Sequence, residues 1–118
     1  MKTLSMLSLL GFTVLTAFAP DASAVRTGVT LTIGDITIEG TERARIYVPG
    51  LSGTAPACGS SRPHHFSMDL TTNKGRAQLD LATAAMLSGK PVHVHGLDTC
   101  LTILNTGYQQ LGQLTLNP

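Results

Sequence analysis

Four histidines are the residues of this sequence whose type and spacing could support metal chemistry. His93 and His95 lie two positions apart in a run of alternating valines and histidines, so both imidazoles project from one face of a predicted strand. Two such imidazoles could share a metal ion, whereas His64 and His65 are adjacent and poorly placed for joint ligation. No carboxylate or cysteine completes a ligand set by its spacing. We therefore expect a solvated strand face, no metal site and no cofactor.

Catalytic chemistry is not indicated by any group of residues. Nucleophilic catalysis needs a nucleophile, a base and an orienting group, and no nucleophile-elbow motif occurs among the serines, histidines and aspartates. We therefore expect a protein that is not an enzyme. Arg43, Arg45 and Tyr47 do form a polar strip on a predicted strand. They could bind an anionic sugar through a guanidinium and an aromatic ring, or they could form an ordinary solvated face.

The first residues have the pattern of a secretory signal. Lys2 precedes an apolar run, and Ala22-Ser23-Ala24 fits the small-x-small rule for cleavage. The run is too short for a confident membrane span. We predict a signal peptide at 1–24, one domain at 25–118 with no membrane span after cleavage, and export to the periplasm or the extracellular space.

The sequence contains only two cysteines, Cys58 and Cys100, and the formal net charge is +1. In a small exported domain two cysteines allow a single disulfide. A nucleic-acid surface is usually strongly basic, and the chain has no run of lysines or arginines. We therefore predict a Cys58–Cys100 disulfide and no nucleic-acid partner.

One helix is predicted between a threonine cap at Thr71 or Thr72 and a glycine stop at Gly89. Leu79 and Met86 share one helical face, so we expect both to be buried. Asp80 lies towards the other side and is expected to be exposed.

Five strands are predicted, three before this helix in the sequence and two after it. They cover residues 29–38, 44–48, 65–70, a segment from 92, and 111–116, with loops at 50–64 and 98–108. Three strands, a helix and two strands are the layout of a five-stranded OB barrel, which is mainly β with one helix between strands three and four. The alternative is a two-layer α+β sandwich.

The first predicted strand changes its apolar parity at Gly34-Asp35. One interpretation is a long strand with a bulge at Gly34, which bends it. The other is a hairpin that turns at Gly34-Asp35. We prefer the bulge because each half is short for a hairpin arm.

The predicted helix end and fourth strand contain AAMLSGKPVHV at 84–94, and the first predicted strand begins at Thr27-Gly28-Val29. In these two segments the chain resembles the B subunits of subtilase cytotoxin and typhoid-type toxins, and it also resembles small secreted bacterial proteins of similar plan. The small secreted proteins share further short motifs, which here are Asp69-Leu70-Thr71, Gly75-Arg76-Ala77, Ser88-Gly89-Lys90 and Thr99-Cys100.

The resemblance implies a secreted, non-catalytic OB module that binds glycans as a homo-oligomer, with a toxin A subunit as a further partner. Thr27 falls where those subunits carry a hydroxyl residue that contacts sugar. We therefore predict a ligand site formed by Thr27, Arg45 and Tyr47. The alternative is a stand-alone periplasmic or secreted OB domain with a protein-binding or structural role.

Overall fold

The structure is a computed structural model that describes residues 26–117. The predicted signal peptide at 1–24 and both predicted domain ends lie outside the described residues. Within the described part of the chain the strands are β1 Arg26–Leu31, β2 Asp35–Glu39, β3 Arg43–Tyr47, β4 Ser52–Gly53, β5 His65–Asp69, β6 Val92–Ile103 and β7 Thr106–Leu116. One α-helix, α1 Asn73–Ser88, lies between β5 and β6, and a 3-10 turn covers Ala57–Gly59.

The strands form one mixed sheet in the order β2-β3-β5-β7-β6-β1-β4. Neighbouring strands are antiparallel except β5 and β7, which are parallel. The prediction of a mainly β fold with one helix is confirmed. The pairing describes an open sheet and not a closed five-stranded barrel.

The first predicted strand is two strands with different partners. β1 pairs with β6, and β2 pairs with β3. The preferred prediction of one long strand with a bulge at Gly34 is therefore wrong, and so is the alternative of a hairpin at Gly34-Asp35. The one-residue register shift lies between Gly28 and Leu31, where Thr30 has φ 57°, and not at Gly34. Gly34 lies in the break between the strands and donates its N–H to the Tyr47 carbonyl at 2.8 Å.

The predicted loop at 98–108 is instead the end of a long hairpin. β6 and β7 pair from Val92↔Leu116 to Ile103↔Thr106. Leu104 and Asn105 form the turn, with φ values of 48° and 64°. Positive φ at both central residues gives a turn whose twist matches that of the strands, which is why the hairpin can close on two residues.

The core lies on one side of the alternating strands. Its fully buried large side chains include Ile46, Phe66, Met68, Val92, Val94 and Leu111. Their strand neighbours point the other way, and this alternation is what leaves polar side chains on the outward face of β3 and β6.

The ends of α1 follow the predicted signals. The hydroxyl of Thr72 accepts a hydrogen bond from the Gly75 N–H at 3.0 Å, which satisfies one of the free donors of the first turn. Gly89 takes the left-handed conformation at φ 66°. A residue with a side chain resists that conformation, so the helix ends there.

The buried face of α1 consists of small residues. Gly75, Ala82 and Ala85 are buried. Leu79, which was predicted to be buried, is only half-buried. The prediction for Met86 was wrong, because this side chain is 38% exposed. The small residues let the helix lie close to the sheet, and its last turn holds Met86 towards solvent. Asp80 is exposed, as predicted.

The Cys58–Cys100 disulfide is confirmed, with Cα atoms 6.1 Å apart. It joins the 3-10 turn to β6. The preceding loop also contains β4, which pairs with the start of β1. Among residues 26–117, no helix has the length and apolar character needed to cross a membrane.

Candidate functional site

The predicted residues Arg45 and Tyr47 lie on the outward face of β3. The residues that alternate with them, Ala44 and Ile46, are fully buried in the core. Tyr47 pairs with His65 across the boundary with β5, and opposite residues of an antiparallel pair have side chains on the same face. The site therefore extends from β3 onto β5.

An aromatic cluster covers this face. We define it as Tyr47, His64, His65 and Tyr108. The ring centres of Tyr47 and His65 are 5.1 Å apart, those of His65 and Tyr108 are 5.8 Å apart, and those of Tyr47 and His64 are 6.4 Å apart. These separations are typical of interacting rings. The cluster makes the face half-buried rather than freely solvated.

Arg45 lies against the cluster. Its guanidinium carbon is 5.4 Å from the centre of the Tyr108 ring, within the range of a cation–π contact. Its terminal nitrogen is 3.8 Å from a Glu39 carboxylate oxygen, while its Nε is buried and has no hydrogen-bond partner among the described residues. Arg45 is thus held by the Tyr108 ring and by the Glu39 carboxylate. It has no bidentate partner among residues 26–117.

The charge on the cluster is set by burial and by the arginines. Burial lowers the pKa of His65 below its usual 6.5, and Arg45 lowers it further, although Asp35 opposes this shift. The Nδ1 atoms of His64 and His65 are buried without a hydrogen-bond partner in residues 26–117. The lowered pKa favours the neutral form of His65 at neutral pH, beside the Arg45 guanidinium.

A cavity of about 360 Å³ opens at one end of the polar face. It lies between the turn that joins β2 to β3 and the turn that joins β6 to β7. Its lining contains two carboxylates, two threonine hydroxyls and two aliphatic side chains, and consists of Glu39, Gly40, Thr41, Glu42, Arg43, Thr102, Ile103 and Leu104. Glu39 contributes to this lining and also faces Arg45, so the cavity adjoins the face.

The third predicted site residue, Thr27, lies elsewhere. It is on β1, and three strands separate β1 from β3 in the sheet. Thr27 pairs with His95 of β6 on one side and with Ser52 of β4 on the other. The structure therefore brings Arg45 and Tyr47 together, and it places Thr27 beside His95 instead.

Sequence reasoning missed Tyr108 and His65 as members of this face. Tyr108 is only 5% exposed, yet the sequence placed it in a loop. His65 was weighed only as a metal ligand. The alternation of His65 with Phe66 and Met68 marked its face, but the parallel pairing of β5 with β7 has no local sequence signal. No group of three or more histidine, cysteine, aspartate or glutamate side chains within residues 26–117 could hold a metal ion.

The resemblance to toxin B subunits rests on the short motifs quoted above, and it stays a prediction. No protein-family model, curated protein or solved structure matches this chain.

Proposed function

We propose that this chain is an exported, non-catalytic binding module of the OB type, and that the outward face of β3 and β5 binds an anionic glycan. The observation that carries the proposal is the arrangement of Arg45 between the Tyr108 ring and solvent, with Tyr47 on the same strand face. A guanidinium binds a carboxylate through parallel hydrogen bonds, and an aromatic ring packs against the apolar face of a sugar.

The strand order supports an OB-type assignment. β1 and β2 are consecutive in the chain, yet they lie towards opposite ends of the sheet. In small Greek-key barrels of this type the first strand bends so that it serves both sides of the barrel, and β1 and β2 together would have that role here. In this family of folds the middle strands and the two adjacent turns bind oligosaccharides and oligonucleotides. Under this assignment, the polar face of β3 and β5 and the cavity between the two turns would lie on the corresponding elements.

The export and assembly parts of the proposal have separate support. A disulfide persists in oxidising compartments, which agrees with a periplasmic or extracellular location. One half-buried arginine and one ring form a weak site. Useful glycan binding would therefore need several copies on one homo-oligomer, and such an oligomer could carry a toxin A subunit.

A glycan array tests the proposal directly. We expect the purified protein to bind carboxylated glycans and not their neutral counterparts. Arg45→Ala should weaken binding by about tenfold to a hundredfold, because a charge-assisted hydrogen bond contributes about 1.5–3 kcal/mol. Tyr47→Ala should also weaken it. Arg76→Ala is the matched control, because Arg76 is an exposed arginine of α1.

Two outcomes would refute parts of this proposal. An array without signal, from a protein that is monomeric by light scattering, would refute the glycan module. Glycan binding that survives Arg45→Ala and Tyr47→Ala but is lost in Thr27→Ala would keep the function and move the site to β1.

A second candidate is a stand-alone OB domain that binds a protein. Leu104 is 79% exposed at the cavity, and Ile38 is 57% exposed on the edge strand β2. Exposed large apolar side chains suit a protein partner. A silent array, together with a defined protein captured by a photo-crosslinking residue at position 104, would support this candidate.

A further inference from the structure

We propose that His93 and His95 bind a borderline transition-metal ion through their imidazoles, with Cu²⁺ held most tightly. Both side chains are exposed, whereas the neighbouring Val92 and Val94 are fully buried. The two imidazoles therefore stand on the outward face of β6. This site is separate from the polar face of β3 and β5, and it does not depend on the proposed glycan function.

The strand sets the distance between the two ligands. Residues two apart on a strand are separated by about 6.5 Å along it. Two imidazoles that lean towards each other can therefore place a nitrogen of each about 2 Å from one ion. β6 is paired with β1 and with β7 at His95, so its backbone is held on both sides. This support distinguishes the site from the same two residues in an unfolded chain.

The surroundings favour imidazole chemistry. The positions opposite the pair are Thr115 for His93, and Thr27 and Gln113 for His95. None of these cross-strand neighbours carries a charge. Their oxygens can accept a hydrogen bond from the imidazole N–H that does not face the metal, which fixes the ring. Nitrogen ligands without carboxylates suit Cu²⁺, Ni²⁺ and Zn²⁺ and not Mg²⁺ or Ca²⁺.

Two protein ligands leave the remaining coordination positions to water. The proposal departs from the solvated strand face that the sequence led us to expect, because the structure adds two flanking strands and uncharged neighbours. The expected order of affinity is Cu²⁺ above Ni²⁺ and Zn²⁺.

Titration calorimetry of the untagged protein with CuCl₂ tests the proposal. We expect one Cu²⁺ per chain. The affinity for Cu²⁺ should fall by roughly tenfold or more in His93→Ala and equally in His95→Ala, because both ligands are needed for chelation. His64→Ala is the matched control and should bind as the wild type does. In the electron paramagnetic resonance spectrum, each single variant should show fewer nitrogen superhyperfine lines than the wild type, because one ligating nitrogen is lost.

The protein should also be stabilised against thermal unfolding by Cu²⁺, since the folded strand presents both ligands. This shift should be absent in His93→Ala and in His95→Ala. Equal Cu²⁺ affinity in the wild type and both variants, or an equal loss in His64→Ala, would overturn the proposal. A wild type that binds Ca²⁺ or Mg²⁺ as tightly as Cu²⁺ would also overturn it.

Discussion

The guanidinium of Arg45 lies 5.4 Å from the centre of the Tyr108 ring, and this contact spans from β3 to β7 across β5. A cation over a ring contributes about 0.5–2 kcal/mol, more when it is shielded from water. We therefore expect a double-mutant cycle with Arg45→Met and Tyr108→Leu, measured by urea unfolding, to give a coupling energy of about 0.5–1 kcal/mol.

The same cycle should give no coupling between Arg76→Met and Tyr108→Leu, because Arg76 bonds to Asn73 on the exposed surface of α1. A coupling energy near zero for Arg45 and Tyr108 would show that the guanidinium does not interact with the ring in solution.

The helix face is tested by adding volume rather than removing it. Ala82 is fully buried against the sheet and Ala84 is exposed on the same helix. Ala82→Leu should lower the free energy of unfolding by about 1–3 kcal/mol through overpacking. Ala84→Leu should change it by no more than about 0.5 kcal/mol. Equal effects in thermal or urea unfolding would mean that α1 presents a different face.

Gly75 lies inside a helix, and its replacement should behave unlike an ordinary helical glycine. At an exposed position glycine to alanine stabilises a helix by about 1 kcal/mol. Here a Cβ on residue 75 would overlap the Asp69 carbonyl oxygen. We therefore expect Gly75→Ala to lower the midpoint of thermal unfolding. A raised midpoint would show that the helix start can move away from β5.

Asp69 should make the free energy of unfolding depend on pH in the acidic range. Its carboxylate accepts hydrogen bonds from the Thr71 hydroxyl at 2.6 Å and N–H at 3.0 Å, and it pairs with Arg43 at 2.9 Å. These contacts, the Thr71 hydroxyl above all, lower the pKa of Asp69 below its usual 3.8. The stabilisation is therefore present above that usual value and is lost as the pH falls through the lower folded pKa.

Urea unfolding between about pH 5 and about pH 2 measures this dependence. The slope of the free energy of unfolding against pH should become shallower in Asp69→Asn. The same slope should become partly shallower in Thr71→Val. An unchanged slope in Asp69→Asn would contradict the assigned hydrogen bonds.

Local signals predicted the local structure well. Three of these signals involve only residues that are close together in the sequence. They are the Thr72 cap, the Gly89 stop and the alternation of valines and histidines. The Cys58–Cys100 pairing followed because only two cysteines exist. In contrast, Met86 was misplaced because helical periodicity defines a face but not how far the sheet extends beneath it.

The contacts that form the candidate site join residues that are far apart in the sequence. No local sequence pattern predicts such contacts. Leu104 takes a positive φ that leucine disfavours. Nothing in the sequence therefore indicated a two-residue turn at this position, and the segment was predicted to be a loop. Without that hairpin, Tyr108 could not be placed over Arg45. Thr27 was taken from a resemblance, and its neighbour His95 became visible only through the pairing of β1 with β6.

The pairing of β1 with β6 and of β5 with β7 also has a consequence for how the chain folds. Both pairings join segments that lie far apart in the sequence, and β6 and β7 follow α1 in the chain. Closing such long loops is entropically costly before any contact forms, so high contact order slows folding to milliseconds or seconds. A nascent chain that ends after α1 lacks the β6 partner of β1 and the β7 partner of β5. Folding of this sheet is therefore a late event, which waits for the β6–β7 hairpin.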